Sequence, residues 1–242
     1  GVPTHFVGKI GHDPFGQLAV DELHAEGLTA DWVRSDAHLT GSVAVWIDQE
    51  GERSMVSGKG ADHYLLPSEL PVATLEQAGN LHLHGWSFFG DPPRSAVRRA
   101  AKLVAANGGR VSFDPGSFQM IRGMGVERFL QETTDLGADL IFPNFEEGAV
   151  LSGEREPEAI CARLHELYAG ALVALKLDAA GSYVYEHGRG THLDAVSARP
   201  VDSTGAGDSF AGAFLAAWLT GAPPVEAARK AEARAREAAT GI

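Results

Sequence analysis

The feature of this 242-residue chain that most constrains its fold is the alternation of short apolar runs with longer amphipathic segments. The apolar runs predict strands at 5–10, 42–48, 80–86, 110–114, 139–144, 171–178 and 182–187. The longer segments predict helices at 16–27, 93–108, 125–137, 156–170 and 225–242. Strands separated by helices are typical of βαβ units, in which helices cover a parallel sheet on both faces. The pattern therefore predicts an α/β fold with three Rossmann-like layers and a mostly parallel central sheet.

One region, at about 40–58, departs from this alternation. Two strand-like runs, SVAVWID and ERSMVSG, meet at a polar turn that contains Gly51, and this arrangement predicts a β-hairpin. The hairpin is interpreted either as a small lid that projects from the fold or as an antiparallel edge of the sheet. No repeat or linker divides the chain, so residues 1–242 are expected to form a single domain.

The charge balance bears on the partners of the chain. Lysine and arginine number 20 against 32 aspartate and glutamate residues, which gives a formal net charge of −12 at pH 7. Nucleic acids and anionic membranes require a basic face, so neither is an expected partner. The single cysteine, Cys161, cannot form an internal disulfide. The cytoplasm is therefore the expected location.

The segment DSTGAGDSFAGAFLAAWLTG, which starts at Asp202, carries the clearest chemical signal. Its second half predicts a helix, so Gly205, Ala206 and Gly207 lie at a helix N-terminus, where free N–H groups bind anions. A carboxylate such as Asp208 is repelled by a phosphate unless it takes a proton from an attacking hydroxyl group. An anion cradle beside a base suits phosphoryl transfer. The alternative, in which Asp208 only caps the helix, is equally compatible with the spacing.

The same segment resembles the C-terminal signature of the ribokinase-like (PfkB) family of carbohydrate and nucleoside kinases, whose D-[ST]-T-G-A-G-D core it matches in full. Three other segments are similar to this family: 7–28, 40–62 and 143–153. The resemblance implies an enzyme, an ATP-dependent carbohydrate kinase that phosphorylates a primary hydroxyl group of a small sugar. A nucleoside kinase of the same family and a non-catalytic member that binds a sugar or a nucleotide are the alternatives.

The resemblance also implies a role for the residues of this signature. Asp208 would be the base that deprotonates the acceptor hydroxyl group, and the N–H groups of residues 205–207 would form the anion hole for the transferring phosphoryl group. Asp202 and Thr204 lie where family members often shape a loop for a monovalent cation. ATP, Mg²⁺ and K⁺ are therefore the implied cosubstrate and ions.

Two other motifs bear on the nucleotide and the metal ion. Asn144 and Glu147 match N-x-x-E, which in the family orders Mg²⁺ and its waters, and Glu147 would act through a water. The alternative is a helix cap followed by an exposed acid. Lys176 and Gly181 match the ends of the family's [TK]-x-G-x-x-G nucleotide turn, in which Asp178 replaces the middle glycine. Because aspartate tolerates left-handed backbone angles, the turn is expected to survive.

The sugar-binding part is less clearly marked. Family members begin with a strand that carries a substrate-binding aspartate and with a G-G-x-x-x-N segment, and this sequence starts after both. The candidate substrate contacts are Asp13 in GHDPFG and the lid residues Gly41 and Val43. The stretch 111–123 lacks the asparagine and arginine that follow D-P in many fructokinase-like members. The resemblance finally implies a homodimer formed through the lid.

Overall fold

The structure, a computed structural model, describes residues 2–47, 53–196 and 204–240. Its strands are β1 (His5–Gly11), β2 (Thr29–Ser35), β3 (Ser42–Ile47), β4 (Arg53–Gly58), β5 (Asn80–His84), β6 (Arg110–Asp114), β7 (Leu140–Ile141), β8 (Leu172–Lys176), β9 (Ser182–Glu186) and β10 (Arg189–Leu193). Its helices are α1 (Pro14–Ala25), α2 (Val72–Glu76), α3 (Pro93–Ala106), α4 (Phe118–Met124), α5 (Val126–Thr133), α6 (Phe145–Ser152), α7 (Pro157–Leu167), α8 (Ala206–Leu219) and α9 (Pro224–Thr240). No helix within these ranges combines the length and the apolar character that crossing a bilayer requires.

The described chain forms two compact units. One comprises residue 2, residues 80–86 and the described residues from 110 onwards, and it contains the strands β5 to β10. The other comprises residues 3–79 and 87–109, and it contains the strands β1 to β4. Each unit is described below by itself.

The first unit is built on a six-stranded sheet with the order β10-β9-β8-β7-β6-β5. The strands β5, β6, β7 and β8 pair in parallel, whereas β9 and β10 are antiparallel to their neighbours. The register places Phe113 of β6 beside Ile141 of β7, and Ile141 beside Val173 of β8. The predicted, mostly parallel central sheet is thus confirmed, and its parallel strands all end at the same edge.

Helices cover this sheet on both faces. Alternate residues of a strand face opposite sides, so residues of β8 identify the helix that packs on each face. Leu172 of β8 belongs to a buried core that includes Phe214 of α8. Leu175 faces the other side, where its Cδ1 lies 3.0 Å from the position that a Cβ would take on Gly148 of α6. The helices α8 and α6 therefore pack on opposite faces of the sheet, which confirms the predicted three layers.

In the second unit, β1 and β2 pair in parallel, and β3 and β4 form an antiparallel sheet of their own. Within the described residues β3 and β4 pair only with each other, so they are not an antiparallel edge of the six-stranded sheet, and the role of the hairpin as a lid stays a prediction. Val43 and Trp46, on opposite faces of β3, are 54% and 58% exposed. The predicted turn at Gly51 lies outside the described residues.

Some elements differ from the predicted ones for local reasons. The strand predicted at 139–144 is limited to Leu140–Ile141, because Pro143 has no N–H group to donate to a neighbouring strand. The strands β2 and β10, with the sequences TADWVRS and RGTHL, were not predicted. Their polar residues interrupt the apolar runs from which strands were inferred.

Candidate active site

The candidate site of the first unit lies where parallel strands end, which is where ligands of open α/β sheets bind. Asp114 is the last residue of β6, Asn144 follows β7, and Lys176 is the last residue of β8. Asn144 and Lys176 form an isolated parallel bridge, and the Lys176 N–H group donates to the Pro143 carbonyl oxygen at 2.8 Å. The topology thus brings together three polar residues that are far apart in the sequence.

Lys176 and Asp114 form an ion pair at this edge. The Lys176 ammonium donates to Oδ2 of Asp114 at 2.6 Å, and the Gly116 N–H group donates to the other carboxylate oxygen at 3.1 Å. Asp114 is 4% exposed. Burial by itself would lower the pKa of Lys176, but the nearby carboxylates of Asp114, Glu147 and Asp208 raise it above its ordinary value. Lys176 is therefore a charged ammonium held by a buried carboxylate.

The N-terminus of α8 lies beside this ammonium. Gly205 is the N-cap residue with a φ of +77°, and α8 begins at Ala206. A Cβ on Gly207 would stand 3.5 Å from the Lys176 Nζ atom. The first N–H groups of a helix have no acceptor within the helix and carry partial positive charge. The ammonium of Lys176 thus lies beside the predicted anion hole and adds a positive charge to it.

Asp208 is in the first turn of α8, and its side chain is exposed. The N-cap position belongs to Gly205, which provides no side-chain hydrogen bond. Asp208 therefore does not cap this helix, and the alternative considered from the sequence loses its support. An exposed carboxylate three residues into the helix is available to a ligand that reaches the anion hole.

Asn144 and Glu147 bind to each other at the start of α6. The Asn144 side chain accepts from the Glu147 N–H group at 2.9 Å, and the two carboxylate oxygens of Glu147 accept from the backbone and side-chain N–H groups of Asn144 at 2.9 Å each. Asn144 is thus a helix cap, but the acid is only 2% exposed. Burial, with the neighbouring charge of Asp114, raises the pKa of Glu147 to about 7.

The implied magnesium ion fits these oxygen donors only indirectly. Both oxygens of Glu147 already accept a hydrogen bond from Asn144 and the residue is 2% exposed, so the geometry suits a contact through water. Among the residues that the structure describes, no group of three or more His, Cys, Asp or Glu side chains could hold a metal ion. Of the two residues expected at a monovalent cation, Thr204 lies in an exposed turn and Asp202 lies outside the described residues.

The turn from Lys176 to Gly181 has the predicted left-handed residue. Asp178 has a φ of +50°, and Gly181 has a φ of +91°. The Leu177 N–H group donates to the Gly181 carbonyl oxygen at 2.7 Å, which closes the turn. The expectation that aspartate can replace the middle glycine is confirmed.

The predicted substrate contacts belong to the second unit. Asp13 caps α1, and its Oδ1 accepts two backbone N–H groups of the first turn. Its Oδ2 accepts from the backbone N–H and the hydroxyl group of Thr40 at 2.7 and 2.9 Å. The backbone bond from Thr40, with the others, lowers the pKa of Asp13. Gly41 packs against the Asp62 carboxylate, and Val43 is exposed on β3. Contact of these residues with a substrate stays a prediction.

Sequence analysis did not identify Asp114. Its place at the end of a buried strand, in the sequence RVSFDPG, was a signal that could have suggested it. Its partner could not be inferred, because Lys176 lies 62 residues further along the chain.

The chain is similar in sequence and in structure to known kinases. The model of the pfkB family carbohydrate kinases matches residues 1–241. A fructokinase from Klebsiella pneumoniae is 32% identical, over 89% of this chain and 71% of its own length. A sugar kinase of Archaeoglobus fulgidus, otherwise uncharacterized, is 28% identical over 91% of this chain and 85% of its own length. An Escherichia coli structure provisionally assigned as a ribokinase II, solved with ATP and Mg²⁺, has a TM-score of 0.88 at 28% identity, over 99% of this chain and 78% of that one.

Proposed function

The chain belongs to the pfkB family of carbohydrate kinases, and we propose that the sugar whose primary hydroxyl group it phosphorylates is a ketohexose, with fructose as the first candidate. The family and the fructokinase relatives make the protein an ATP-dependent sugar kinase. The choice of a ketohexose rests on the relatives that are fructokinases, of which the Klebsiella pneumoniae protein is one. A nucleoside is the alternative acceptor.

The observation that carries the mechanism is the exposed carboxylate of Asp208, one residue beyond the anion hole at the start of α8. A sugar hydroxyl group that is hydrogen-bonded to Asp208 gives up its proton to this carboxylate as its oxygen attacks the terminal phosphorus of ATP. The bond from that phosphorus to the bridging oxygen breaks, and ADP leaves. Asp208 then holds the proton until it is released to solvent.

The other groups of the site stabilise the charge of the transferring phosphoryl group. The N–H groups at residues 205–207 and the α8 dipole attract its oxygens. Bound Mg²⁺ supplies further neutralisation of the phosphate charge, and Asn144 and Glu147 would hold its waters. The Escherichia coli neighbour contains ATP and Mg²⁺, which supports their use here. We propose that K⁺ binds the loop that includes Asp202 and Thr204; replacing K⁺ by tetramethylammonium should then lower kcat.

We also propose how the chain is organised beyond this site. The family model extends over residues 1–241, so both compact units are treated as parts of one kinase domain. The exposed apolar side chains of the lid support a homodimer formed through β3 and β4. A cytoplasmic location, with no nucleic acid or membrane as partner, stays the expectation from the charge balance.

The test of the proposed function is Mg·ATP-dependent ADP release with a panel of ketohexoses, aldohexoses, sugar acids and nucleosides. We expect a ketohexose to give the highest kcat/KM. Asp208→Asn should lower kcat by about 10²- to 10⁴-fold, as for the loss of a general base. The matched control is Asp194→Asn, the same change at a side chain that is 98% exposed. A nucleoside that outcompetes every sugar, or an Asp208→Asn variant with normal kcat, would contradict the proposal.

A further inference from the structure

We propose that Lys176 is a catalytic residue whose ammonium donates hydrogen bonds to the transferring phosphoryl group, and that Asp114 is the positioning residue that holds this ammonium at the anion hole. The inference rests on the proposed function, because it assigns two residues to the same reaction. It changes the expectation from the sequence, which gave Lys176 to the nucleotide turn and gave Asp114 no role.

The first argument is position. The Lys176 Nζ atom stands 3.5 Å from the point that a Cβ on Gly207 would occupy, so the ammonium lies against the first turn of α8. This turn also carries Asp208. A phosphoryl group bound by the N–H groups of the turn would therefore lie within reach of the ammonium. Positive charge at this point is what stabilises phosphoryl transfer.

The second argument is the set of hydrogen bonds that the ammonium makes. An ammonium has three protons to donate. Among the described residues, Asp114 provides the acceptor for Lys176, and one bond at 2.6 Å leaves two protons for a ligand. The other oxygen of Asp114 accepts from the Gly116 N–H group, which fixes the orientation of the carboxylate. Asp114 thus holds the ammonium of Lys176, and the ammonium can still donate hydrogen bonds to a ligand.

A second ion pair, in the other unit, shows an ammonium whose hydrogen bonds are all made within the protein. The Lys9 ammonium donates to both carboxylate oxygens of Glu69, at 2.6 and 2.7 Å, and to the Tyr64 carbonyl oxygen at 2.9 Å. Its three protons are therefore all used within the protein. The side chains of Lys9 and Lys176 are similarly buried, at 8% and 14% exposed. Lys176 differs because, among the described residues, its ammonium donates one hydrogen bond and has two protons left for a ligand.

The third argument is electrostatic. A buried ammonium without a carboxylate partner loses its proton more readily, because burial disfavours the charged form. Asp114 forms an ion pair with Lys176 at 2.6 Å, and together with Glu147 and Asp208 it keeps Lys176 protonated. Removing the charge of Asp114 should therefore make the catalytic contribution of Lys176 sensitive to alkaline pH.

The first test is the affinity of the protein for Mg²⁺ complexes of a non-hydrolysable β,γ-imido analogue of ATP and of ADP, measured by calorimetry. Because the ammonium contacts the terminal phosphoryl group, Lys176→Met should weaken binding of the analogue by about 10-fold and leave ADP binding unchanged. Equal losses for both nucleotides, or no loss for either, would overturn the proposal. A loss confined to ADP would also overturn it.

The second test is kinetic and uses the sugar that the wild-type protein phosphorylates fastest. Lys176→Met should lower kcat by about 10²-fold with little change in the KM of the sugar. Asp114→Asn should give a kcat that falls more steeply than that of the wild type as the pH rises, because the ammonium without the Asp114 charge loses its proton more readily. An Asp114→Asn variant with the pH profile of the wild type would overturn the positioning role.

The matched control is Glu69→Gln, which removes the carboxylate from the structural pair with Lys9. It should lower the unfolding temperature and leave both the ratio of the two nucleotide affinities and the shape of the pH profile unchanged. The two proposals can fail separately. If the wild-type protein phosphorylates no member of the panel, the proposed function fails, and the ratio of nucleotide affinities still decides the role of Lys176.

Discussion

Burial raises the pKa of the Glu147 carboxyl group, and unfolding experiments can test this shift. The carboxyl group accepts from the N-cap residue Asn144 at the start of α6, and the residue is 2% exposed. Burial with the charge of Asp114 raises its pKa from an ordinary 4.5 to about 7. In the folded protein this group keeps its proton up to about pH 7, whereas the unfolded chain releases it near pH 4.5. Between these values the folded state binds more protons, so its stability falls as the pH rises.

We therefore predict that Glu147→Gln flattens the pH dependence of the free energy of unfolding. A single proton changes this free energy by about 1.4 kcal/mol per pH unit. The wild type should thus lose about 1–3 kcal/mol more than the variant between pH 4.5 and pH 7. Urea unfolding over this pH range measures the difference.

The control is Glu146→Gln, the same change at the neighbouring, exposed position of α6. This variant should follow the wild type across the whole range. A Glu147→Gln profile that is parallel to the wild-type profile would contradict the assignment of the raised pKa to Glu147.

The residues of the site differ in how far the sequence could predict them. Residues 205–208 and Asn144 could be placed at helix starts, because capping and glycine preferences are local. The left-handed Asp178 was also accessible, since few residues adopt that conformation readily. The pair of Lys176 with Asp114 was not, because it depends on strand order, which brings together residues 62 positions apart.

At the scale of elements, the connection after β5 depends on a close approach of two backbones. Gly85 follows β5 and is buried, and a Cβ at this position would overlap the carbonyl group of Pro115, which follows β6. Because backbone and not a flexible side chain occupies this space, the two strand ends would have to separate. The approach lies at the same edge of the sheet as Asp114.

We predict that Gly85→Ala destabilises the protein by about 1–3 kcal/mol, the usual cost of overpacking a well-packed site. The matched control is Gly123→Ala in α4, where a Cβ would meet nothing within 4 Å. Alanine is favoured over glycine inside a helix, so the control should gain up to about 1 kcal/mol. Denaturant unfolding compares the two, and equal stabilities would show that the approach at Gly85 is not tight.

The elements that sequence analysis placed well are those whose burial is nearly complete. The strand β8 is apolar except for its last residue, and in both β6 and β8 all but the first or the last residue is buried. The strand β2 was missed because most of its residues are half-buried or exposed, so its sequence TADWVRS lacks a continuous apolar run. Periodicity reports burial, and it therefore identifies a central strand more readily than a partly exposed one.

At the scale of the whole molecule, the lid concentrates exposed apolar side chains on both of its faces. In the antiparallel register Ala44 lies opposite Val56, which places Trp46 and Val56 on one face. Val45 lies opposite Met55 on the other face. These side chains are exposed by between 41% and 62%. Apolar surface of this kind is typical of a site that binds another protein surface.

We predict that the protein is a homodimer and that the face with Trp46 and Val56 forms its interface, because tryptophan is enriched at the centre of such contacts. The double variant Trp46→Ser, Val56→Ser should therefore be a monomer in analytical ultracentrifugation at about 10 μM, a concentration that exceeds a Kd of about 1 μM or less for the wild-type dimer. The matched double variant Val45→Ser, Met55→Ser should remain a dimer. If only this second variant dissociates, the opposite face is the interface. A monomeric wild type, or dimers that persist in both variants, would show that the lid does not carry the assembly.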